Sequence, residues 1–217
     1  MQFVAVDVAN EVLSDVHSAV WANADKKSVP LIPTPLNGNP AIKKISPFIE
    51  KSTDHGTVHA LSVAAAHNRN IVAVHLSWQS EKHDTMADLD QFVDGVAVMF
   101  PLTAQASAFT MGSDDDPVNA WYWKANLDDR AFDVVAHGYG TSQRHPESAQ
   151  PISCSAAHVD QKWHVVLSRA LGTPDGRASL LPGNPTRVSF AVWDGGNRER
   201  AGRKSFSGDF VAAEIHP

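Results

Sequence analysis

The chain has 217 residues, 24 acidic against 18 basic side chains, 11 histidines and one cysteine, Cys154. That length suits a single domain over 1–217 with a sizeable core. Charges of both signs are mixed without a basic cluster, and no apolar window approaches the ~18 to 20 residues of a membrane span, so neither nucleic acid nor a bilayer crossing is expected. A lone thiol excludes an internal disulfide, an iron–sulfur cluster on this chain's own thiolates and the C-x-x-C-H attachment of covalent haem.

The opening "MQFVAVDVANEVLSDVH" lacks a basic stretch followed by an apolar one, so no export signal is expected in it. "PLIPTPLNGNP" at 30–40 reads as a surface loop. The alternation at 57–66 and 71–78, separated by "HNRN", predicts a hairpin, with Val72, Val74, Leu76 and Trp78 on one face and Ala73, His75 and Ser77 on the other. A short helical turn is expected near "MADLDQF", 86–92. Strands follow at 94–102, 118–125, 131–138, 152–159, 162–171, 187–194 and 207–215, with a polar surface loop "TSQRHPESAQP" at 141–151. No long segment carries an apolar stripe of period 3.6, so the class is all-β, and this many strands joined by turns favour a sandwich or barrel.

The common catalytic and metal patterns are missing. His55 and His59 in "HGTVH" lack the third and fourth ligands of a zinc site. There is no G-x-S-x-G elbow, and Cys154 sits mid-strand as a small hydrophobe. Phosphate-binding glycine loops are absent, and Asp114, Asp115 and Asp116 lack the spacing of an EF-hand and read as a solvated turn.

Two segments stand out together. In "AFTMGSDDDPVNAWYWKAN" Met111 closes one strand and Pro117 opens the next, on which Trp121 and Trp123 share a face. Met111 is either a packed thioether or a ligand beside a loop. In "SFAVWDGGNRERAGRKSFSG" a strand ends at Trp193 and Asp194, and the chain passes a Gly-Gly turn and a basic loop before a strand resumes near Lys204. M-G, P-V-N, W-x-W-K-A and the later A-V-W-D-G and G-x-K-S resemble the γ subunit of the ethylbenzene dehydrogenase and dimethylsulfide dehydrogenase family, whose chlorate and selenate reductases carry similar subunits. "DGVAVMFP" and "KWHVVLSRAL" extend the likeness, which runs in register from Asp94 to Ser207. The final "SFSGDFVAAEIHP" departs from the family in lacking a tryptophan after the serine.

The resemblance implies an antiparallel β-sandwich, immunoglobulin-like or DOMON-like with few short helices, enclosing one non-covalent haem b. The family's axial methionine falls on Met111 and its lysine on Lys204. Lys124 and Lys162 are other lysines on motif strands, and His137 and His158 offer a histidine in place of the lysine. A neutral thioether favours ferrous iron, while a ligating lysine must lose its proton in a desolvated site. A sandwich wall of Val, Phe, Trp and Leu, with Trp121, Trp123 and Trp193, is expected around the cofactor, and Arg200, Arg203 or His137 at its propionates. The same likeness implies a non-catalytic subunit that relays electrons between the iron–sulfur subunit of a molybdopterin enzyme and a soluble carrier such as a cytochrome c. Its place of work would be the periplasm, or the cytoplasm if no export signal exists. The rival reading is a carbohydrate- or ligand-binding sandwich that uses exposed Trp121, Trp123 or Trp193 as stacking platforms beside Asp114 to Asp116.

Overall fold

The computed structural model describes residues 1–127, 129–146, 151–172 and 175–217. In chain order its first elements are β1 (Gln2–Ala5), α1 (Asn10–Ser14), α2 (Ala19–Asn23), β2 (Lys27–Pro30), β3 (Ile32–Pro33), α3 (Pro40–Ile45), α4 (Pro47–Glu50), β4 (Ala60–His67) and β5 (Ile71–Gln79). Then come β6 (Gly95–Pro101), β7 (Val118–Lys124), β8 (Phe132–Ala136), β9 (Gln143–Arg144), β10 (Ser153–Val159), β11 (Lys162–Ala170), β12 (Pro185–Trp193), β13 (Ser205–Phe206) and β14 (Val211–Ile215).

These strands form the expected all-β sandwich. One layer runs β10-β11-β5-β4-β1-β14 and the other β6-β7-β8-β9. The long strand β12 joins them: Pro185 to Val188 pair with β14, while Ser189 to Trp193 pair with β6. All pairings are antiparallel except those of β1, which runs parallel to both β4 and β14.

Period-two alternation decides what lies between the layers. Val96, Val98 and Phe100 of β6, Trp121 and Trp123 of β7, and Val188, Phe190 and Val192 of β12 meet Val72, Val74, Leu76 and Trp78 of β5 in one core. Trp163 of β11 sits 4.9 Å from Trp123 edge-on and 6.3 Å from Trp78 in a stack. Pairs of this kind add about 0.5 to 1.5 kcal/mol beyond their area burial.

Each layer also has an outer face, and both are rich in small residues. On the first, Ala64, Ala66 and Ala73 are covered by α1 and α2, which insert Leu13 and Trp21. On the second, Ala97 and Ala191 lie beneath Trp193 and Phe206. Its cap is α3 and α4, whose starts are set by local chemistry: Asn39 accepts from the amides of Ala41 and Ile42, Ser46 accepts from that of Ile49, and Pro40 and Pro47 occupy the first turns.

Three sequence expectations change. The 30–40 segment is no plain surface loop, because it holds β3 and buries Leu31, Thr34 and Leu36. No helix forms at 86–92, where Met86 and Leu89 are exposed, so that a helix would have no apolar face to bury. The 141–151 loop contains β9, and its residues 147–150 lie outside the described residues.

Candidate functional site

On the outer face of the second layer, under α3 and α4, lies a cavity of about 420 Å³. Its floor is made of every second residue of the layer: Ser189, Ala191 and Trp193 of β12, Ala97 and Met99 of β6, Ala120 and Tyr122 of β7, and Val134 of β8. Ile42, Ile45 and Ile49 form the roof. The size is that of a small-molecule or cofactor site.

Met111 and Lys204, 93 residues apart in the chain, meet at this cavity with Lys204 Nζ 3.6 Å from Met111 Sδ. Met111 has φ of 59°, left-handed backbone that costs an ordinary L residue roughly 1 to 2 kcal/mol. The loop holds it there through Met111 N donating to Ala108 O, Gly138 N to Met111 O, and Gly112 N to Ser107 O. Gly112 itself has φ of 83°, and a Cβ on it would stand 2.9 Å from the carbonyl oxygens of Ala136 and Asp116. The M-G pair is thus a backbone requirement as well as a side-chain one.

Lys204 is almost wholly buried. Among the described residues no carboxylate lies within ion-pairing distance of it. Its ammonium lies 5.0 Å from the centre of the Trp193 ring, and burial lowers its pKa to about 8. Both the amide and the hydroxyl of Thr34 donate to its carbonyl oxygen. The preceding loop is fixed by Glu199, a buried carboxylate that accepts from the amides of Gly56, Thr57 and Asp194. Trp193 adds a bond from Nε1 to Ala201 O.

Of the other residues singled out in the sequence, Trp193 lines the cavity, whereas Trp121 and Trp123 face the opposite way into the core. Arg203 bonds the Asp54 carboxylate at 3.1 Å, and the Arg200 guanidinium lies 4.2 Å from the centre of the Phe92 ring. His137 is absent from the cavity wall, and its amide donates to Thr141 Oγ1. Lys162 starts β11 in the other layer, and His158 there hydrogen-bonds Ser80 O and stacks on His83. Lys124 ends β7 near the cavity without lining it. His55 is bonded to Thr34 O while His59 is exposed, so the two do not form a pair. Cys154 is buried, which pushes its thiol pKa up and leaves it unreactive.

The cavity's place is itself a correction: the layer's outer face and a helical cap enclose it, so that beside the expected valine, phenylalanine and tryptophan (Val134, Phe206 and Trp193) its wall is largely alanine, isoleucine and methionine, and leucine, Trp121 and Trp123 take no part in it. The expectation of exposed stacking tryptophans is corrected too, because Trp121 and Trp123 are buried in the core and Trp193, also buried, faces the cavity and not the outer surface. Sequence reasoning missed Tyr122, Tyr139 and Arg144 in the wall, and Glu199 behind Lys204. None of them carries a local signal beyond its residue type.

Residues 18–151 and 145–205 match the family model described as ethylbenzene dehydrogenase. The chain belongs to this family. A candidate respiratory nitrate reductase heme subunit of Haloferax mediterranei is 33% identical to this family member over 183 residues, 83% of the chain and 62% of the relative, so the chain spans under two thirds of that relative's length. The chlorate reductase γ subunit of Ideonella dechloratans is 31% identical over 92% of the chain and 79% of its own length. For the dimethylsulfide dehydrogenase γ subunit of Rhodovulum sulfidophilum the figures are 26%, 94% and 76%. Among solved structures, a family 9 carbohydrate-binding module of Caldicellulosiruptor kristjanssonii superposes with a TM-score of 0.56 at 9% identity, covering 99% of this family member and 94% of the module. A carbohydrate-binding protein candidate of Bacteroides uniformis gives 0.58 at 8%, covering 100% and 98%. At such identities the likeness concerns the fold alone.

Proposed function

We propose that the chain is the haem b electron-transfer subunit of a molybdopterin-dependent oxidoreductase complex, in which Met111 and Lys204 would hold the iron. The observation that carries this reading is a buried lysine, without a counter-ion among the described residues, whose Nζ lies 3.6 Å from a thioether in the wall of a largely apolar cavity. A lysine there is costly to the fold alone, and a thioether beside an amine that can lose its proton is a donor pair able to hold iron in a non-polar pocket.

Kinship supports the same reading, since the relatives named above include heme and γ subunits of reductases and a dehydrogenase. By that analogy the partners are a molybdopterin catalytic subunit, an iron–sulfur subunit and a soluble carrier such as a cytochrome c, and the place of work is the periplasm. The chain transforms no substrate of its own in this scheme.

Bound haem supplies a one-electron ferric–ferrous couple. The chain's residues do the rest. To hold iron Lys204 Nζ would have to be neutral, and burial already lowers its pKa to about 8. Met111 Sδ, neutral and polarizable, favours the reduced state. The loop bonds at Ala108, Gly138 and Thr34 keep both donors in place without rearrangement when charge moves. Ile42, Ile45 and Ile49 would lay apolar side chains against the bound group.

A visible spectrum of the chain after haemin addition, oxidised and then reduced with dithionite, tests this. About one haem b per chain with a sharp reduced α band is expected, and Lys204→Ala should open a position that takes carbon monoxide. No haemin uptake, or a Lys204→Ala spectrum identical to that of the parent, overturns the assignment.

A further inference from the structure

Among the described residues the cavity wall holds two cations and no carboxylate: Lys204, buried, and Arg144, exposed. Arg144 belongs to β9, the outermost strand of the layer, and β9 is four strand steps from β12 along β12-β6-β7-β8-β9. At roughly 4.8 Å per step the two ends of the cavity floor are about 19 Å apart. Lys204, just before β13 on the far side of β12, and Arg144 therefore mark opposite sides of one pocket.

Arg144 is exposed, yet its guanidinium is held 3.6 Å from the centre of the Phe132 ring on β8. Among the described residues no acidic side chain pairs with it. Lys124, half-buried at the end of β7, lies near enough that the Arg144 charge joins burial in lowering its pKa, and it too has no acidic partner among the described residues. Arg144, with no acidic partner among the described residues, stands in the wall of a largely apolar cavity with the positive charge of Lys124 acting on it from the end of β7. The stacked guanidinium keeps its N–H fork free for a carboxylate.

We propose that Arg144, supported by Lys124, is a carboxylate clamp that fixes the acidic edge of a flat, otherwise apolar ligand. Under the haem reading above, on which this rests, that edge is the pair of propionates. The arrangement takes over the role expected of Arg200, Arg203 and His137, which do not line the cavity. It also gives the ligand an orientation, apolar edge inward and carboxylates at the mouth.

Haemin and its dimethyl ester discriminate the clamp from the iron ligands, because the ester keeps the iron and removes both carboxylates. In equilibrium titrations followed at the Soret band, the wild-type chain should bind haemin about 10-fold more tightly than the ester, the scale of one charge-assisted hydrogen bond. In Arg144→Gln that preference should fall towards unity while the low-spin spectrum stays, and Arg144→Lys should restore part of it. Haemin uptake by wild type without preference over the ester, or a preference unchanged in Arg144→Gln, overturns the clamp and leaves the haem reading standing. Failure of wild type to take up either compound overturns both.

Discussion

The two outer faces of the sandwich are built from the same material and put to opposite uses. Ala64, Ala66 and Ala73 on the first layer make a shallow bed, and the helix α2 lowers Trp21 into it until the ring is fully buried and stacked 5.6 Å from His75. Ala97, Ala120 and Ala191 on the second layer make a similar bed, but α3 and α4 stand off it and leave a cavity of about 420 Å³. Small residues on a sheet face create room, and the cap decides whether the protein fills that room itself. Where a tryptophan fills it the result is a structural plug; where the space stays open, a buried lysine and a strained methionine sit at its edge.

If that contrast is right, emptying the filled face should be severe for folding and silent at the cavity. Trp21→Ala is expected to cost about 3 to 5 kcal/mol, the usual range for removing a buried tryptophan. Urea unfolding of the haem-free chain measures this, and haemin titration of the folded variant should match wild type. A change in haemin affinity that rivals the stability loss would mean the two faces are coupled and the comparison fails.

The second face should respond in the other direction. Lys204 is protonated in both the folded and unfolded chain at pH 7, but its folded pKa of about 8 lies below the ordinary 10.5, so folding opposes its charge. A gap of that size is about 3 kcal/mol of destabilisation below pH 8, relieved as pH rises towards 10.5 because the unfolded chain then holds the extra proton. Lys204→Met, similar in length and uncharged, should therefore stabilise the haem-free chain by up to about 3 kcal/mol at pH 7 and remove the gain between pH 8 and 10.5. A variant less stable than wild type would show that the ammonium has a partner and that the site is structural.

How much of this was legible beforehand depends on the physics of each feature. The long strands β4 to β8, β10 to β12 and β14 announced themselves through alternation, whereas the two-residue β9 lay inside a segment read as a loop. The same alternation hid the cavity. Ala97, Ala120 and Ala191 carry no signal of their own, and only packing shows that they floor a cavity beneath α3 and α4. The cap was legible in principle: Asn39-Pro40 and Ser46-Pro47 are helix-start signals, but the first fell at the end of a proline-rich segment read as a loop and the second went unread. Met111 and Lys204 were found through family resemblance alone, since 93 residues separate them and neither type is diagnostic. Arg144 had no signal at all, because its meaning comes from facing Lys204 across a pocket the sequence does not outline.

The smallest expected effect returns to the plugged face, where Trp21 covers a histidine. His75 is buried, with its Nδ1 unpaired, between Trp21 and His164, and burial first, then His164 and Lys26, lower its pKa to about 4. A histidine held neutral in the fold but titrating near 6.5 when unfolded leaves the unfolded chain holding more protons as pH falls, so stability is lost on acidification, from about pH 6.5 down to 4. Between pH 7 and pH 5 the loss attributable to this residue is about 2 kcal/mol. His164, also lowered by burial, acts in the same direction. In His75→Phe, which keeps an aromatic ring against Trp21 and removes the proton site, urea midpoints at pH 7 and pH 5 should lie closer together than in wild type by that amount. An equal separation in the two proteins would mean that His75 reaches solvent, and that the first outer face is less tightly sealed than Trp21 makes it.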